Sequence, residues 1–569
     1  MQKKWLVKPV TDMDDVEFFR PLGVAPVTAR LLVGRGIDTV EAGVQFLSPV
    51  LSAMIDPFLL KGMQGAVERV LQALNDGETV CIYGDYDVDG ITGTALLVSF
   101  LRQAGLACNY FIPNRFDDGY GLNEEALQRI IDSGATLIMS VDCGITALNE
   151  ALFCREAGVD LIILDHHTPG ASIPEAVAVV NPLQHGCNYP FKQLAGVGVA
   201  FNLLVALRSR MRQEGMFTAV DEPDLRDWLD LVALGTIADV VPLVGQNRIY
   251  AYLGLQKLEN SRKPGVVALK MVAGIKETVN CGQVGYRLAP RLNAAGRMES
   301  AVPGVELLLS HNAADCSVIA AELDTANAER QAIERSILED AAAMVDGGGA
   351  YPACRSIVLA SSDWHQGVIG IVASRLVERY HRPTILIAID EQGGAKGSGR
   401  SIPGFHLLEA LTACSGDLER FGGHRYAAGV GLKACHVDRF AASFEAAAVQ
   451  ILGERELVPT LDIDGVVSPT EVDLALAREL KRMEPFGAGN PEPILMMRNV
   501  TVTERRIVGD GHLKLRLSAE GQVFNAIAFR QAECPTDGKL DIAFFPETNC
   551  WNNSTTLQLR IKAIRKAEA

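Results

Sequence analysis

The sequence predicts an α/β protein: a parallel-sheet domain, a long helix joining it to a second α/β lobe, and a small β-barrel at the C-terminus. Three observations carry this expectation. Short Val- and Ile-rich runs alternate with helical patterns between about residues 60 and 240. A stretch at 319–345 holds neither Gly nor Pro and keeps helical spacing. From about residue 460, short alternating strands separated by turn signals replace the helices.

A chain of 569 residues exceeds one hydrophobic core. Its patterns divide it into an N-terminal segment (1–55), a catalytic domain (56–318), a connecting helix (319–346), a second α/β domain (347–455) and a barrel (456–569). ETVCIYGD (78–85) predicts a buried strand, followed by a helix over ITGTALLVSFLRQAG (91–105). TLIMSVD (136–142) and DLIILDHH (160–167) predict two further strands, each flanked by helical stretches, as a parallel sheet requires. In the connecting helix, Ile319, Leu323, Ile333, Ile337 and Leu338 stand among charged residues, and DGGGAYP (346–352) breaks it. SIVLA and TILIAI mark strands of the second lobe. NVTVTERRIVG, HLKLRLSAEG, VFNAIAFR, KLDIAFF and STTLQLRIKAI are the five strands of a barrel such as an OB-fold.

Composition excludes several classes. Hydrophobic content of 48% with 21% charged residues describes a globular chain, neither disordered nor fibrous. The twelve cysteines are scattered without a CxxC pair, which argues against a zinc site or a disulfide framework. MQKKWLVKPVTDMDD lacks the apolar stretch of a signal peptide, and no run reaches the roughly eighteen apolar residues of a membrane span. The expected location is cytoplasmic, with no membrane. The net charge of −16 weighs against a nucleic-acid partner, but metal-bound carboxylates would offset part of it locally. Between 491 and 569, eleven Lys and Arg face nine Asp and Glu, a modest basic bias within an acidic chain.

The chemistry lies at the strand ends. Asp85 ends the first strand, Asp142 the second and Asp165 the third, so three strands aim carboxylates at one rim of the sheet, where α/β folds bind ligands. GDYDVDG (84–90) adds Asp87 and Asp89 at alternate positions, a concentration of like charge that bound cations would relieve. A calcium loop of the EF-hand type needs a later Glu and flanking helices, and a plain solvated acidic turn is the competing reading. DHH (165–167) favours the metal: two adjacent histidines after a strand-ending aspartate are poor core fillers. Carboxylates with imidazole and without cysteine point to manganese or magnesium, two ions being expected.

DYDVDG (85–90), VDCG (141–144), DHH (165–167) and GTIADVVPL (235–243) resemble the four ordered motifs of the DHH phosphoesterase superfamily. PNRFDDGYGL (113–122), LAGVGVAF (194–201), APRLNAAGR (289–297), WHQGVIGIVASRL (364–376), GSGRS (397–401), FGGH (421–424) and EPFGAGNPEP (484–493) are similar to the RecJ family of single-stranded-DNA-specific 5′→3′ exonucleases within it. The resemblance runs from about residue 20 to the C-terminus. It implies a DHH domain, a DHHA1-type second domain and an OB-fold.

It also implies metal ligands at Asp87, Asp89, Asp142, His166 and Asp239, with Asp85 close by, and orienting or substrate-facing roles for Asp165 and His167. Arg115, Ser398 and Arg400 would hold a 5′-terminal phosphate, Arg291 and Arg297 would track the strand, and His424 would face the scissile phosphate. The implied reaction is two-metal hydrolysis of the phosphodiester nearest the 5′ end, in DNA repair and recombination. Single-stranded DNA is the implied partner of a monomer, with a helicase and a single-strand-binding protein as candidate protein partners. Phe524, Phe529, Phe544, Phe545 and Trp551 are candidates for base stacking, against the usual place of barrel aromatics in the core.

Two departures stand out: Tyr83 occupies a position where many superfamily members carry a histidine, and Arg425 and Tyr426 replace smaller or apolar residues. The alternatives are a phosphodiesterase for short oligonucleotides or cyclic dinucleotides, and a non-catalytic single-strand-binding scaffold. The first would lack the barrel and the second would lose metal ligands.

Overall fold

The computed structural model describes residues 3–9, 18–114, 119, 121–218, 221–276, 278–349, 351–551 and 554–567. Two compact units account for them: Trp5–Ala321 with Asp462–Ala569, and Glu322–Leu461 with the first four residues.

The first unit is built on a five-stranded, wholly parallel sheet of β1 (Thr79–Gly84), β2 (Ala107–Phe111), β3 (Leu137–Val141), β4 (Asp160–Leu164) and β5 (Ala178–Val180), in the order β2-β1-β3-β4-β5. β3 is buried along its whole length, which is why it reads as a continuous apolar run and not as an alternation. One face packs on α1 (Val88–Gln103) and α4 (Gly196–Gln213), with α5 (Leu229–Ala238) against both. These helices are apolar nearly all round because the sheet and their neighbours enclose them. The opposite face (Cys81, Tyr83, Ile138, Leu161, Ile163) packs on α2 (Glu124–Asp132) and α3 (Leu148–Glu156). β1 hands its chain to one neighbour and β3 to the other, so the strand order reverses between them. A crevice opens there beyond their carboxyl ends.

β2 and β5 escape the sequence patterns. β2 is an edge strand with alternating burial, and β5 has three residues.

Five strands close the barrel of this unit: β11 (Leu495–Val508), β12 (His512–Ala519), β13 (Gln522–Ala528), β14 (Leu540–Trp551) and β15 (Ser554–Lys566), with β14 pairing back to β11. Phe524, Phe544 and Phe545 lie in its core, together with Val27, Leu31, Leu32 and Leu47 from the N-terminal helices Pro26–Val33 and Val40–Leu47. Those three phenylalanines are therefore core residues. Phe529 is exposed and meets His512 edge-on at 5.1 Å; the side chain of Trp551 lies outside the described residues.

The second unit holds most of the long helix α6 (Ala313–Gly347), whose first nine residues belong to the first unit. Its sheet joins β6 (Ile357–Ser361), β7 (Thr384–Ile389), β8 (Gly394–Arg400), β9 (Arg420–Gly423) and β10 (Ala427–Lys433) in the order β9-β10-β8-β7-β6, with α7 (Ile369–Tyr380) packed on β7 and β8. GSGRS (397–401) ends the central strand β8. Its glycines serve packing: a Cβ at Gly397 would stand 2.5 Å from Val430 Cγ2. All twelve cysteines are free. No helix among the described residues is long and apolar enough to cross a membrane.

Candidate functional site

The crevice between β1 and β3 is where the strand-end carboxylates converge. Asp87 caps α1, its Oδ1 accepting from the Asp89 and Gly90 amides at 2.9 and 3.3 Å. A Cβ on Gly90 would stand 2.4 Å from the Asp85 carbonyl, so only glycine lets the helix start this close to the strand end. Asp142 follows β3 in a left-handed conformation, φ +66°, which aspartate adopts more readily than most side chains. Asp239 follows α5, and His166 and His167 follow β4.

Ligand atoms of three overlapping groups lie within 4.8 Å of one another: Asp85, Asp87 and Asp142; Asp89, His166 and Asp239; Asp142, His166 and His167. His166 Nε2 stands 3.0, 3.7 and 3.8 Å from carboxylate oxygens of Asp142, Asp239 and Asp89. Yet His166 Nε2, Asp142 Oδ1 and Asp239 Oδ2 are buried with no hydrogen-bond partner. Burial with the neighbouring His167 pushes His166 down to about 4, so the imidazole is neutral. Burial and the surrounding carboxylates raise Asp142 and Asp239 well above the usual range, and burial with Asp87 lifts Asp89 to about 7. Neutral imidazole and crowded carboxylates, their lone pairs turned to a common space, form a donor set that fits divalent cations.

The surroundings fix these groups. Asp89 sends both oxygens to the start of α4, accepting from Gly196 N at 2.6 Å and Val197 N at 2.9 Å. That helix has no side-chain cap of its own, so its orphan amides hold a carboxylate supplied 107 residues earlier. Asn293 accepts from Val88 N at 3.1 Å and steadies the first turn of α1. Sequence reasoning assigned neither role; the signal for the first is a glycine-rich helix start without a capping side chain. Asp165 is saturated, accepting from the amides of Ile145, His166 and His167 and from His167 Nδ1 at 2.8 Å. Burial alone would raise Asp165, but these bonds hold it below the usual range; burial would lower His167, and the same pairing raises it.

The remaining predicted residues divide. Tyr83 donates to the Gly121 carbonyl at 2.9 Å, a bond that ties down the loop before α2. Arg297 lies one turn beyond Asn293 on the helix Ala289–Met298, on the face toward the α1 loop, whereas Arg291 bonds to the Arg287 and Val272 carbonyls. Arg115 lies outside the described residues.

In the second unit, Arg400 Nη1 donates to Ser398 Oγ at 3.1 Å and to the Gly399 carbonyl at 2.8 Å. A Cβ on Gly370 would stand 2.7 Å from Ser398 Oγ, so this glycine brings the uncapped first turn of α7 against the pair. Guanidinium and hydroxyl together are the chemistry that could hold an anion. His424 follows β9 beside Ala427, which pairs with Arg400, and so sits at the same sheet end. Arg425 and Tyr426 are exposed, and their carbonyls accept from Leu407 N and Ser401 N.

A doubly wound sheet with this carboxylate and imidazole centre defines a metal-dependent phosphoesterase. The DHH family N-terminal domain matches residues 79–236, the DHHA1 domain 353–450 and the RecJ OB domain 463–563. The single-stranded-DNA-specific exonuclease RecJ of Escherichia coli (strain K12) is 37% identical, with 96% of each chain covered. Its Bacillus subtilis (strain 168) counterpart is 40% identical over 97% of this chain and 69% of its own. The crystal structure of RecJ in complex with Mn2+ from Thermus thermophilus matches with TM-score 0.84 at 32% identity, covering 100% of this chain and 80% of that one. The chain belongs to the RecJ family.

Proposed function

We propose that the chain is an exonuclease that hydrolyses single-stranded DNA from its 5′ end. The observation that carries this reading is the set of three ligand groups, linked by Asp142 in two of them and His166 in two, with unpartnered buried polar atoms among them. Asp85, Asp87 and Asp142 would hold one cation, and Asp89, His166 and Asp239, with Asp142 between, a second. When bound, manganese or magnesium supplies Lewis-acid activation of water and offsets charge on the phosphate. The chain's own residues do the rest. The start of α4 fixes Asp89, and Asp165 orients His166 and His167 through their amides and the His167 ring. His167 would face the substrate.

Arg115, Ser398 and Arg400 would hold the 5′-terminal phosphate, Arg291 and Arg297 would track the strand, and His424 would face the scissile phosphate. Its domains would be an N-terminal segment (1–55), the catalytic domain (56–318), the connecting helix (319–346), the DHHA1-type domain (347–455) and the OB-fold (456–569). The protein acts in the cytoplasm as a monomer, with a helicase and a single-strand-binding protein as candidate partners. Product analysis tests the reading: a 3′-labelled single strand should shorten stepwise with release of mononucleotides from the other end, whereas internal cuts would refute it.

A further inference from the structure

Asp239 sits in a turn between α5 and the helix Gly245–Glu259, and the segment that leads into the barrel holds that turn from outside. Leu243 N donates to the Ala488 carbonyl at 2.7 Å. The loop carrying Ala488 closes on itself through Gly487 N to the Asn490 carbonyl, 2.9 Å, and Asn490 N to the Gly487 carbonyl, 3.2 Å. It fits flush on the metal-site turn: a Cβ at Gly487 would stand 2.7 Å from Leu243 Cδ1, and one at Gly489, φ +70°, would stand 2.8 Å from Pro242 Cβ.

Asn490 keeps the loop in shape. It is wholly buried, and its Nδ2 donates to the Met483 and Pro485 carbonyls at 2.9 Å each, while its Oδ1 accepts from Arg35 Nε at 3.1 Å. Arg248, 3% exposed, ties the same loop to the catalytic domain. Its guanidinium donates to the Glu484 and Phe46 carbonyls at 2.8 Å and stacks on the Phe46 ring at 3.8 Å. From the other side Asn247 Nδ2 donates to the Pro242 carbonyl at 3.1 Å. The turn is thus clamped between its own helix and the barrel's leader. Val240, at φ +62°, is a β-branched residue in the left-handed region, a conformation that persists only where the surroundings impose it.

We propose that Asn490 is a positioning residue for Asp239: through the Ala488–Leu243 bond, the segment ahead of the barrel sets where this ligand stands. The chemistry explains why the segment is polar and glycine-rich at a buried seam. Side-chain amide bonds to two carbonyls fix a backbone shape that apolar packing alone would leave free to slide. The inference rests on the reading of Asp239 as a metal ligand.

The test uses the full-length protein and Mn2+ alone, with no DNA present. Free Mn2+ is counted by electron paramagnetic resonance during titration of the parent, Asn490→Ala, Gly489→Ala and Asp239→Ala, with circular dichroism as the check on folding. The proposal expects the weaker of the bound Mn2+ ions to lose at least about tenfold in affinity in Asn490→Ala and Gly489→Ala, as a ligand displaced by its support commonly does. Gly489→Ala decides alone if Asn490→Ala does not fold. Isotherms of these two variants that match the parent, alongside a weakened Asp239→Ala, overturn the positioning role. An Asp239→Ala isotherm that matches the parent instead overturns the ligand assignment beneath it.

Discussion

His166 Nε2 and Asp142 Oδ1 stand 3.0 Å apart, buried, without forming a hydrogen bond. Once Asp142 is ionised, the carboxylate and the bare imidazole nitrogen repel at this distance unless positive charge lies between them. The pair is therefore the clearest mark of the ligand the fold is built to take.

That relationship has a consequence for the metal-free protein. Burial and then the charges of Asp89, Asp87, Asp85 and Asp239 raise Asp142 well above its value of about 3.9 in an unfolded chain. For an acid shifted upward, stability is full below the unfolded value and falls as pH rises toward the folded one. In chelator, Asp142→Asn should therefore melt above the parent, by a margin that grows as pH rises above the unfolded value of about 3.9. A margin independent of pH would show that the carboxylate is not under this load.

Metal should reverse the order. Mn2+ at 100 times its dissociation constant should stabilise the parent by about 2.7 kcal/mol per site. Asp142→Asn should gain less, because the two ligand groups that contain Asp142 lose its carboxylate. Thermal melts with and without Mn2+ check this, and equal gains for the two proteins would contradict it.

Gly196→Ala should act at the active site without touching substrate. The added Cβ would stand 2.8 Å from Asp142 Cβ and shift the amide that holds Asp89. Displacements of about 1 Å commonly cost about 100-fold in rate. Initial rates of digestion under saturating Mn2+ measure it; a loss below threefold would mean that the glycine is not required.

Asp165→Ala should report on stability. It strips the acceptor from the buried Ile145 amide, at roughly 1–3 kcal/mol, and from the part-buried His166 and His167 amides. A loss of about 1–3 kcal/mol is expected in urea unfolding at unchanged slope. A loss under about 1 kcal/mol would mean that water replaces the carboxylate.

Arg400→Ala should reduce the preference for 5′-phosphorylated over 5′-hydroxyl strands by about 10- to 100-fold, the worth of a charge-assisted hydrogen bond of roughly 1.5–3 kcal/mol. Competition between the two strands in one reaction measures the ratio. An unchanged ratio would remove Arg400 from the phosphate site.

Much of this site was legible because it obeys local rules. Asp85, Asp142 and Asp165 follow apolar runs, so their shared rim comes from strand periodicity and the α/β architecture. Asp239 follows a helix buried on all sides, and nothing local marks it; the resemblance to the DHH motifs did. What stayed hidden is long-range. The Gly196 and Val197 amides meet Asp89 across more than a hundred residues, and Ala488 reaches Leu243 across a longer span still. The packing role of the GSGRS glycines is long-range too: Gly397 lies against Val430 of the neighbouring strand. The barrel aromatics followed the general rule, three of the five joining the core.

The most direct test of the central claim is digestion of end-labelled single- and double-stranded DNA by the parent protein and by Asp142→Ala, with Mn2+, Mg2+ or chelator. The account predicts mononucleotides released from the 5′ end of the single strand only, by the parent only, and only with a divalent metal. Hydrolysis in chelator, undiminished hydrolysis by Asp142→Ala, or intact single strands with the parent and Mn2+ would contradict it.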